Sequence, residues 1–544
     1  MANRRILRSQ NTILSAALVL SMASALNALL GLVKNRLLTQ YFGVSPELTI
    51  FYTADRIPNT IYSALIVGTI STIFIPTFSA LVKKDKERAY KVAGAIIQSV
   101  FAVFFIIGLA VYIWAPLIIK ILSVGEFSSE EIILGTQIMR TMLIAQLFLI
   151  AGSILTSILQ TYKFFIIPDL APVLYNLCLI IGTILLSNKY GIMGPAYGIV
   201  LGGLLHLGIQ LPFIKGTGYK FVAKTNIRDK SFIKVLRLAP PRIIQTTLNS
   251  GIHTVINSLA ILISKSSVVY LKYAMQLQFF PVNIFGLSMA SALLPTLSNL
   301  TDEESKEKFK ESLTTSIHQM LFLVMPVSAI LFVLRIPVVR IVYGVSQFPW
   351  DATVITSYTL ACYSISIFSQ STTYMLTRAF FAQKDTKTPV KVTLITGLVN
   401  VMVSILYVYG FKGQIWGIAL IYSITSYVDV TLLFLLLKKK IGGFGIEKTL
   451  IPFVKISYAT FLMGLTLYGG LKLLDIRFID TTRTINLLIL TGITTTIGCL
   501  TYLGFTKLLK VKEIELFYKL IRKLNLNKIL KGKRTPEIHP ETLN

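Results

Sequence analysis

Long apolar runs recur along the whole chain, and short polar or basic breaks separate them. A helix needs ~20 consecutive, mostly apolar residues to cross the hydrocarbon of a bilayer. The pattern therefore predicts an all-α polytopic membrane protein with about fourteen transmembrane helices. The predicted spans are residues 12–33, 57–82, 91–117, 131–161, 166–187, 191–213, 235–264, 267–297, 312–335, 353–381, 387–409, 413–437, 449–474 and 484–508.

Composition supports this class, because 54% of residues are hydrophobic, only 14% are charged and the mean hydropathy is +0.70. A soluble domain rarely has this balance. The sequence contains no P-loop, zinc signature or nucleophile elbow. We therefore expect a protein that is not an enzyme and that needs no cofactor or metal. Cys178, Cys362 and Cys499 all fall in apolar spans, which indicates small core residues and not a disulfide.

The distribution of cations predicts the orientation of the chain in the membrane. If the N-terminus is cytoplasmic, the inside segments hold 35 of the 53 Lys and Arg residues. Cytoplasmic loops carry an excess of Lys and Arg, so both termini are predicted to lie in the cytoplasm of a cell (plasma) membrane protein. The net charge of +29 is then a consequence of topology. It predicts contact with anionic lipid headgroups and not with nucleic acid.

The C-terminal segment 510–534 predicts a basic amphipathic helix. Its apolar residues recur at helical spacing, while lysines occupy the rest of the surface. Such a helix is too charged to span the bilayer and lies in the interface instead. We expect it to pack along the cytoplasmic leaflet beside predicted spans 13 and 14. The alternative is a solvated tail that only follows the positive-inside rule.

Three phrases recur at a nearly constant distance along the chain. "IPTFSAL" from Ile75 is echoed by "LPTLSNL" from Leu294, with their prolines 219 residues apart. "APLIIKIL" matches "IPVVRIVY" at 221 residues, and "GIMGPAYGI" matches "GFKGQIWGI" at 219. A constant offset across separate helices indicates an internal repeat.

The repeat predicts two parallel six-helix bundles plus two additional C-terminal helices. Each repeat contains an even number of spans, so both bundles enter the membrane from the same side, and their interface is the natural substrate site. The predicted divisions are an N-terminal bundle at 1–230, a second bundle at 231–440, additional helices at 441–508 and the cytoplasmic tail at 509–544.

Ionisable residues in or beside the spans are the candidates for binding chemistry, because a charge at a helix centre costs ~2.5–3.5 kcal/mol. These cations lie on the first two helices of each repeat: Lys34, Arg36, Arg56, Arg242 and Lys272. They either line one cavity or, as the alternative for those near the rim, extend to lipid headgroups. Membrane-associated carboxylates are fewer: Asp55, Asp169 and Asp429. The excess of cations favours an anionic substrate such as a phosphate or pyrophosphate.

Three segments carry a family resemblance. "GLVKNRLLTQYFG" (31–43), "ADRIPNTIYSALIVGTISTIFIPTFSALV" (54–82) and "FFAQKDTKTPVKV" (380–392) resemble the MurJ/MviN lipid II flippases of the multidrug/oligosaccharidyl-lipid/polysaccharide exporter superfamily. The resemblance extends over essentially the whole chain. It implies export of a lipid-linked peptidoglycan precursor to the outer leaflet by alternating access, with cavity arginines holding the pyrophosphate and spans 13 and 14 holding the polyprenyl tail. It also implies cell-wall synthesis proteins as partners.

At single positions the resemblance is mixed. Lys34 stands where the family has a cavity arginine, and it keeps the charge. Asn27, Gln276 and either Tyr62 or Ser63 stand where further cavity arginines are expected. Lys does not replace the bidentate phosphate binding of Arg, so other cations are expected to supply charge. The predicted substrate-binding residues are Lys34, Arg36, Arg56, Arg242, Lys272, Asn27 and Gln276.

Two other functions remain open at this point. One is a flippase for another lipid-linked oligosaccharide, such as an O-antigen or capsule unit. The other is a membrane scaffold of the same fold that does not transport. Complementation of a conditional lipid II flippase mutant tests the first function, and the neighbouring genes and the precursor that accumulates on depletion identify a flippase for another lipid.

Orientation gives the first testable prediction. A single cysteine at Ser129 or Thr482 is expected to react with an impermeant thiol reagent from outside the cell, and one at Ser231 only after permeabilisation. Labelling yields in intact and permeabilised cells measure this. The reverse pattern would contradict the orientation predicted from charge.

Overall fold

A computed structural model describes residues 13–66, 70, 73–222, 228–300, 305–443, 446–477 and 484–515, and these residues form helices joined by short turns. The first half contains α1 (Ile13–Phe42), α2 (Pro46–Ala54), α3 (Arg56–Leu65), α4 (Ile75–Lys84), α5 (Lys86–Ile113), α6 (Ala115–Leu122), α7 (Ser129–Thr161), α8 (Ile166–Tyr190), α9 (Met193–Gly208) and α10 (Leu211–Thr217).

The second half contains α11 (Lys230–Ile263), α12 (Ser267–Pro281), a π-helix (Val282–Leu287), α13 (Ser288–Ser298), α14 (Lys306–Val333), α15 (Arg335–Tyr343), α16 (Trp350–Ala382), α17 (Lys387–Phe411) and α18 (Ile415–Ile441). Two further helices follow, α19 (Ile446–Arg477) and α20 (Thr484–Leu508). We call the face that holds residues 43–45 and 264–266 the outer face, after the predicted orientation, and the opposite face the inner face.

The predicted class is confirmed, since this is an all-α protein that crosses the membrane many times. Eleven helices of the described residues are long and apolar enough to span a bilayer. The other three predicted spans coincide with α1, with the α2–α4 segment and with α11, which contains Pro240 and Pro241. The count of about fourteen stays a prediction.

The internal repeat is visible as matching breaks in the backbone. The helix α5 ends at Trp114 (φ −88°, ψ 11°), and α14 ends at Leu334 (φ −90°, ψ 25°). Pro116 and Pro337 follow these breaks within α6 and α15. Because proline has no N–H to donate and its ring crowds the preceding turn, each long helix bends at the same place in its repeat.

A second pair of matching features lies just before the repeated proline phrases. Residues 282–287 form a π-helix before Pro295, and Ile66, Ile70, Ile73 and Phe74 have π-helical conformation before Pro76. A π-turn widens the helix locally and often occurs at functional sites. The second membrane segment of each half therefore carries a π-helical irregularity in the stretch before its repeated proline.

Packing joins the two halves in one core near the outer face and forms two separate cores near the inner face. One apolar core contains residues of both halves, such as Leu38 of α1 with Tyr273 of α12 and Phe348 before α16. Nearer the inner face, α4, α5 and the first turns of α11 form a core of their own. The inner ends of α13, α14, α16 and α18 pack instead with α19 and α20.

All three tryptophans lie near the predicted outer face. Trp114 follows α5, while Trp350 and Trp416 lie in the first turns of α16 and α18. Their exposed fractions are 59%, 58% and 36%. Tryptophan is enriched at the membrane–water interface because its ring is apolar and its N–H is polar. These residues therefore mark the level of one interface.

The C-terminal segment begins against the second half. Val511 and Ile514 are buried in the core formed with α19 and α20, and Glu513 lies 3.8 Å from His318 of α14. The rest of the predicted amphipathic helix, from residue 516 to 534, lies outside the described residues. The interfacial position of that helix therefore stays a prediction.

An ion pair fastens the inner end of α18 to the turn before α17. Both oxygens of Asp385 accept hydrogen bonds, one from the Thr388 backbone N–H (3.0 Å) and the other from the Thr388 hydroxyl (2.8 Å) and Lys440 Nζ (2.9 Å). Burial alone would raise the pKa of Asp385, but these donors together lower it to about 2. The carboxylate is therefore charged throughout the physiological pH range.

Asp385→Asn is expected to lower thermal stability by the same amount at pH 5, 6.5 and 8, by about 1 kcal/mol. A depressed carboxyl pKa contributes stability that is full above the unfolded value of ~3.9 and is lost only as pH falls toward the folded value. Melting curves of the purified protein measure this, with the exposed Glu126→Gln as control. A cost that vanishes at pH 5 would contradict it.

Candidate functional site

A cavity of about 760 Å³ lies between the two halves. The first half contributes the turn between α2 and α3 and the first turns of α3. The second half contributes faces of α11, α12, α16, α17 and α18. Much of the wall is polar, with amides such as Asn59, Asn249, Gln370 and Asn400. A polar wall inside apolar helices is costly unless it binds water or a polar ligand.

Cations predominate at the outer end of the cavity. Asp55, between α2 and α3, lies within electrostatic range of Lys34, Arg56 and Lys272. Asp55, Arg56 and Lys272 line the cavity. Three cations around one carboxylate leave an excess of positive charge, and Arg and Lys bind phosphate oxygens through charge-assisted hydrogen bonds. This end of the cavity is therefore suited to an anion.

Aromatic rings separate this charged end from the outer face. The Nζ of Lys272 lies 3.6 Å from the centre of the Tyr52 ring, a cation–π contact that partly replaces the lost hydration. Tyr52 packs edge-on to Tyr273, whose ring stacks on Tyr343 at 4.3 Å between centres. Tyr273 and Tyr343 are fully buried. Sequence inspection missed this stack, because tyrosines are frequent in the chain and no spacing sets these three apart.

The structure brings together three of the predicted binding residues and places four elsewhere. Lys34, Arg56 and Lys272 share the charged end. Arg36 donates instead to the backbone carbonyls of Ile341 (2.6 Å) and Val342 (3.0 Å).

Of the other three, Gln276 accepts a hydrogen bond from Asn35, and Asn27 accepts one from Asn176 at 2.7 Å. Arg242 is exposed on α11, one turn nearer the inner end than the cavity residue Gln245. The helical rotation of α1 and α12, which decides where these side chains point, cannot be read from the spacing of charges.

Polar contacts between the halves close the cavity toward the outer face. The Lys265 ammonium donates to both oxygens of Glu131 (2.6 and 2.9 Å), while its backbone carbonyl accepts from Thr49 at 2.6 Å. Ser266 donates to the carbonyl of Val44 at 2.7 Å. We call these contacts, together with the Asn35–Gln276 and Arg36 bonds, the outer closure.

Gly43 allows the backbones of the two halves to lie close together in the outer closure. Its φ is +60°, and a Cβ there would lie 2.7 Å from the carbonyl oxygen of Gln347 in the second half. Only glycine adopts such a conformation without strain, and no side chain fits at that distance. A larger residue at position 43 would push the halves apart.

Near the inner face the described residues show one ion pair between α5 and the segment that enters α11. Arg88 Nε donates to Asp229 at 2.7 Å. The Arg88 hydrogen bond lowers the pKa of the Asp229 carboxyl, so the pair is charged at neutral pH. The core of α4, α5 and the start of α11 is separate from the core formed with α19 and α20 at this level. The cavity wall extends to Phe381, Pro389 and Val390 at the inner ends of α16 and α17, so the cavity opens toward the inner side, while the outer closure covers its outer end.

Hydroxyl and amide side chains line the second-half wall. Gln370 donates to the hydroxyl of Tyr422 at 2.6 Å, and Asn400 donates to Thr425 at 2.9 Å. The buried carboxylate of Asp429 accepts from threonines of neighbouring helices. The sequence predicted no role for this wall, although α16 carries an unusual run of Ser and Thr, "TSYTLACYSISIFSQSTTYMLT", for a helix in a membrane.

Comparison with known proteins gives a consistent result. A family model described as "Lipid II flippase MurJ" matches residues 38–488. The chain is 28% identical over 517 residues to a probable lipid II flippase MurJ of Buchnera aphidicola subsp. Acyrthosiphon pisum, covering 93% of this chain and 99% of that one. It is 29% identical over 457 residues to the lipid II flippase MurJ of Thermosipho africanus, covering 84% and 91%.

Solved structures agree with this. One of lipid II flippase MurJ in an inward closed conformation matches with a TM-score of 0.76 and 27% identity, covering 91% of this chain and all of that one. An inward-facing multidrug resistance MATE family transporter of the MOP superfamily matches with a TM-score of 0.66 at 17% identity, covering 78% and 98%. The second match reports on the fold alone.

The outer closure gives a prediction about access. In a background without the three native cysteines, Met275→Cys in the cavity wall is expected to react with an impermeant reagent much faster from the inner side than from the outer side. Adding Glu131→Gln breaks the half-buried ion pair with Lys265. It is expected to raise labelling from the outer side by up to about fivefold, as the loss of ~1 kcal/mol implies.

Glu130→Gln is the matched control, because Glu130 is exposed and lies beside Glu131 in the first turn of α7. Labelling rates in sealed vesicles of known orientation measure the effect. Equal outer labelling in the two variants would show that this ion pair does not hold the cavity closed.

Proposed function

Because the chain belongs to the family of lipid II flippases MurJ, we propose that it moves lipid II, a polyprenyl-pyrophosphate-linked peptidoglycan precursor, from the inner to the outer leaflet by alternating access. Family membership favours this substrate over other lipid-linked oligosaccharides, and the continuous polar cavity favours transport over a scaffold role. The protein is a transporter and not an enzyme, since no bond of the substrate is made or broken.

The observation that carries the proposal is the excess of cations at the closed end of an inward-accessible cavity. Lys34, Arg56 and Lys272 surround Asp55 within electrostatic range. A pyrophosphate in this place would be attracted by all three cations and would compete with Asp55 for them. The apolar surroundings lower the dielectric constant, so these attractions are stronger than in water.

Alternating access then requires the outer closure to open while the inner side closes. Several of its contacts are hydrogen bonds from side chains to backbone carbonyls, as in Ser266 to Val44. Each contributes only ~0.5–1.5 kcal/mol net, so water can replace them one by one. The bound pyrophosphate would neutralise the charged end, which removes the repulsion among its cations and favours rearrangement.

The remaining predicted residues have roles that depend on the conformational state. Arg242 lies on the same face of α11 as Gln245 and Asn249, one turn nearer the inner side, so we place it at the entrance, where it meets the headgroup first. Arg36 and Gln276 belong to the outer closure and become available to the substrate only when it opens. Asn27 would contribute by exchanging its bond to Asn176.

Four further features belong to this proposal. Both termini lie in the cytoplasm of a cell membrane protein, and the basic inner segments contact anionic lipids. The chain divides at residues 230, 440 and 508 into two bundles, two additional helices and a tail. The helices α19 and α20 hold the polyprenyl chain. Cell-wall synthesis proteins are the expected partners.

Charge-neutral substitution tests the proposal in cells that depend on a conditional lipid II flippase mutant. The wild-type chain is expected to restore growth, while Lys34→Gln, Arg56→Gln or Lys272→Gln is expected to weaken headgroup binding by about 10- to 100-fold and to abolish rescue. The reason is that each removes a charge-assisted bond of ~1.5–3 kcal/mol without removing core volume. Growth after depletion is the measurement.

Two variants serve as controls. Lys34→Arg retains the charge and is expected to rescue, and Lys120→Gln changes an exposed lysine on α6 away from the cavity. Membrane levels of every variant are compared by immunoblotting. Growth supported by a variant that lacks all three cavity cations would contradict the proposal.

A further inference from the structure

The cavity contains a buried acidic side chain as well as its positive end. Asp429 of α18 lines the second-half wall and is only 7% exposed. Its Oδ1 accepts from Thr396 of α17 at 2.9 Å, and its Oδ2 accepts from Thr373 of α16 at 3.1 Å. The three helices thus hold the carboxylate in a fixed position at the cavity surface.

No basic side chain of the described residues forms an ion pair with Asp429. The nearest cation on α16 by sequence, Arg378, lies over the ring of Phe381. Lys440, about three turns beyond Asp429 on α18, is paired with Asp385. Hydroxyl donors satisfy the oxygens of Asp429 in part but supply no positive charge. A buried carboxylate without a counter-ion is strongly unfavourable, so a bound cationic group is the partner that would stabilise its ionised form.

The spacing of the two charged regions can be read along α16. Tyr363 lies within electrostatic range of Arg56 at the positive end, and Thr373 donates to Asp429. Ten residues of helix separate these two positions, which corresponds to about 15 Å. Both residues line the same cavity. A single extended headgroup could therefore contact both regions at once.

We propose that Asp429, with Thr373 and Thr396, forms a subsite for a primary ammonium group on the headgroup of the transported lipid. The proposal rests on the proposed function and deepens it. An ammonium has three N–H donors and no acceptor, and the carboxylate and the hydroxyl oxygens supply the acceptors. The peptide of a peptidoglycan precursor carries a free amino group that the sugar and several amino acids separate from the pyrophosphate. The cavity thereby selects a headgroup that is anionic at one end and cationic at the other.

A free monovalent metal cation would be recognised at the Asp429 site by the same oxygen atoms, since it also prefers oxygen ligands. The spacing favours the substrate's own ammonium, because one ligand then satisfies both charged regions of the cavity. The experiment distinguishes the substrate's ammonium from a free metal cation. One arm acetylates the amine of the lipid, and the other arm changes the salt.

Binding of lipid II to the purified full-length protein tests the subsite. Dissociation constants are measured for lipid II with its free peptide amine and for the same lipid after N-acetylation, with wild type, Asp429→Asn and the control Asp351→Asn, an exposed acid at the start of α16. Wild type and the control are expected to bind the free amine at least about tenfold more tightly, as one charge-assisted bond implies. Asp429→Asn is expected to bind both forms equally.

The opposite results are equally clear. Equal binding of both forms by wild type, or an unchanged preference in Asp429→Asn, overturns the subsite while leaving lipid II binding, and so the proposed function, in place. The preference of wild type for the free amine could instead require sodium or potassium and disappear when choline replaces these ions. That result assigns the site to a free cation and also overturns the ammonium subsite. Failure of wild type to bind either form contradicts the proposed function itself. If Asp429→Asn does not fold, the acetylation arm on wild type decides alone.

Discussion

The burial of charge inside a membrane protein is the constraint on which the rest of this structure depends. Each ionised side chain at the centre of a bilayer costs several kcal/mol unless it has a partner or water. Lys34, Arg56 and Lys272 meet this cost by gathering around Asp55 and, for Lys272, by lying on an aromatic ring. The polar cavity follows from that arrangement, because the excess positive charge needs water or an anion beside it.

The same constraint explains why the two faces of the protein differ. Near the outer face the halves share one apolar core, and polar side chains between them bond to one another and to backbone carbonyls. Near the inner face the core of α4, α5 and the start of α11 is separate from the core formed with α19 and α20, so moving these two groups of helices apart exposes little apolar surface. Proline breaks at matching places in the two repeats supply corresponding positions at which the membrane segments bend.

Much of the fold could be predicted from the sequence. The apolar runs that predict the all-α membrane class do not depend on how helices rotate, and the family resemblance is confirmed. The site was harder, because a charge in a span has several available environments. Arg36 and Lys34 are two residues apart, yet one bonds to backbone carbonyls and the other reaches the charged end. The rotation of α1 decides this, and contacts from the other half fix that rotation.

Transport of lipid II across the bilayer of reconstituted vesicles tests the central claim most directly. The claim is that three buried cations carry a pyrophosphate headgroup through the membrane. The purified wild-type chain is expected to transfer lipid II between leaflets faster than protein-free vesicles do, measured by the appearance of the headgroup to an impermeant reagent. A protein in which Lys34, Arg56 and Lys272 are all replaced by Gln is expected to match protein-free vesicles. Transfer by that variant at the wild-type rate would contradict the account.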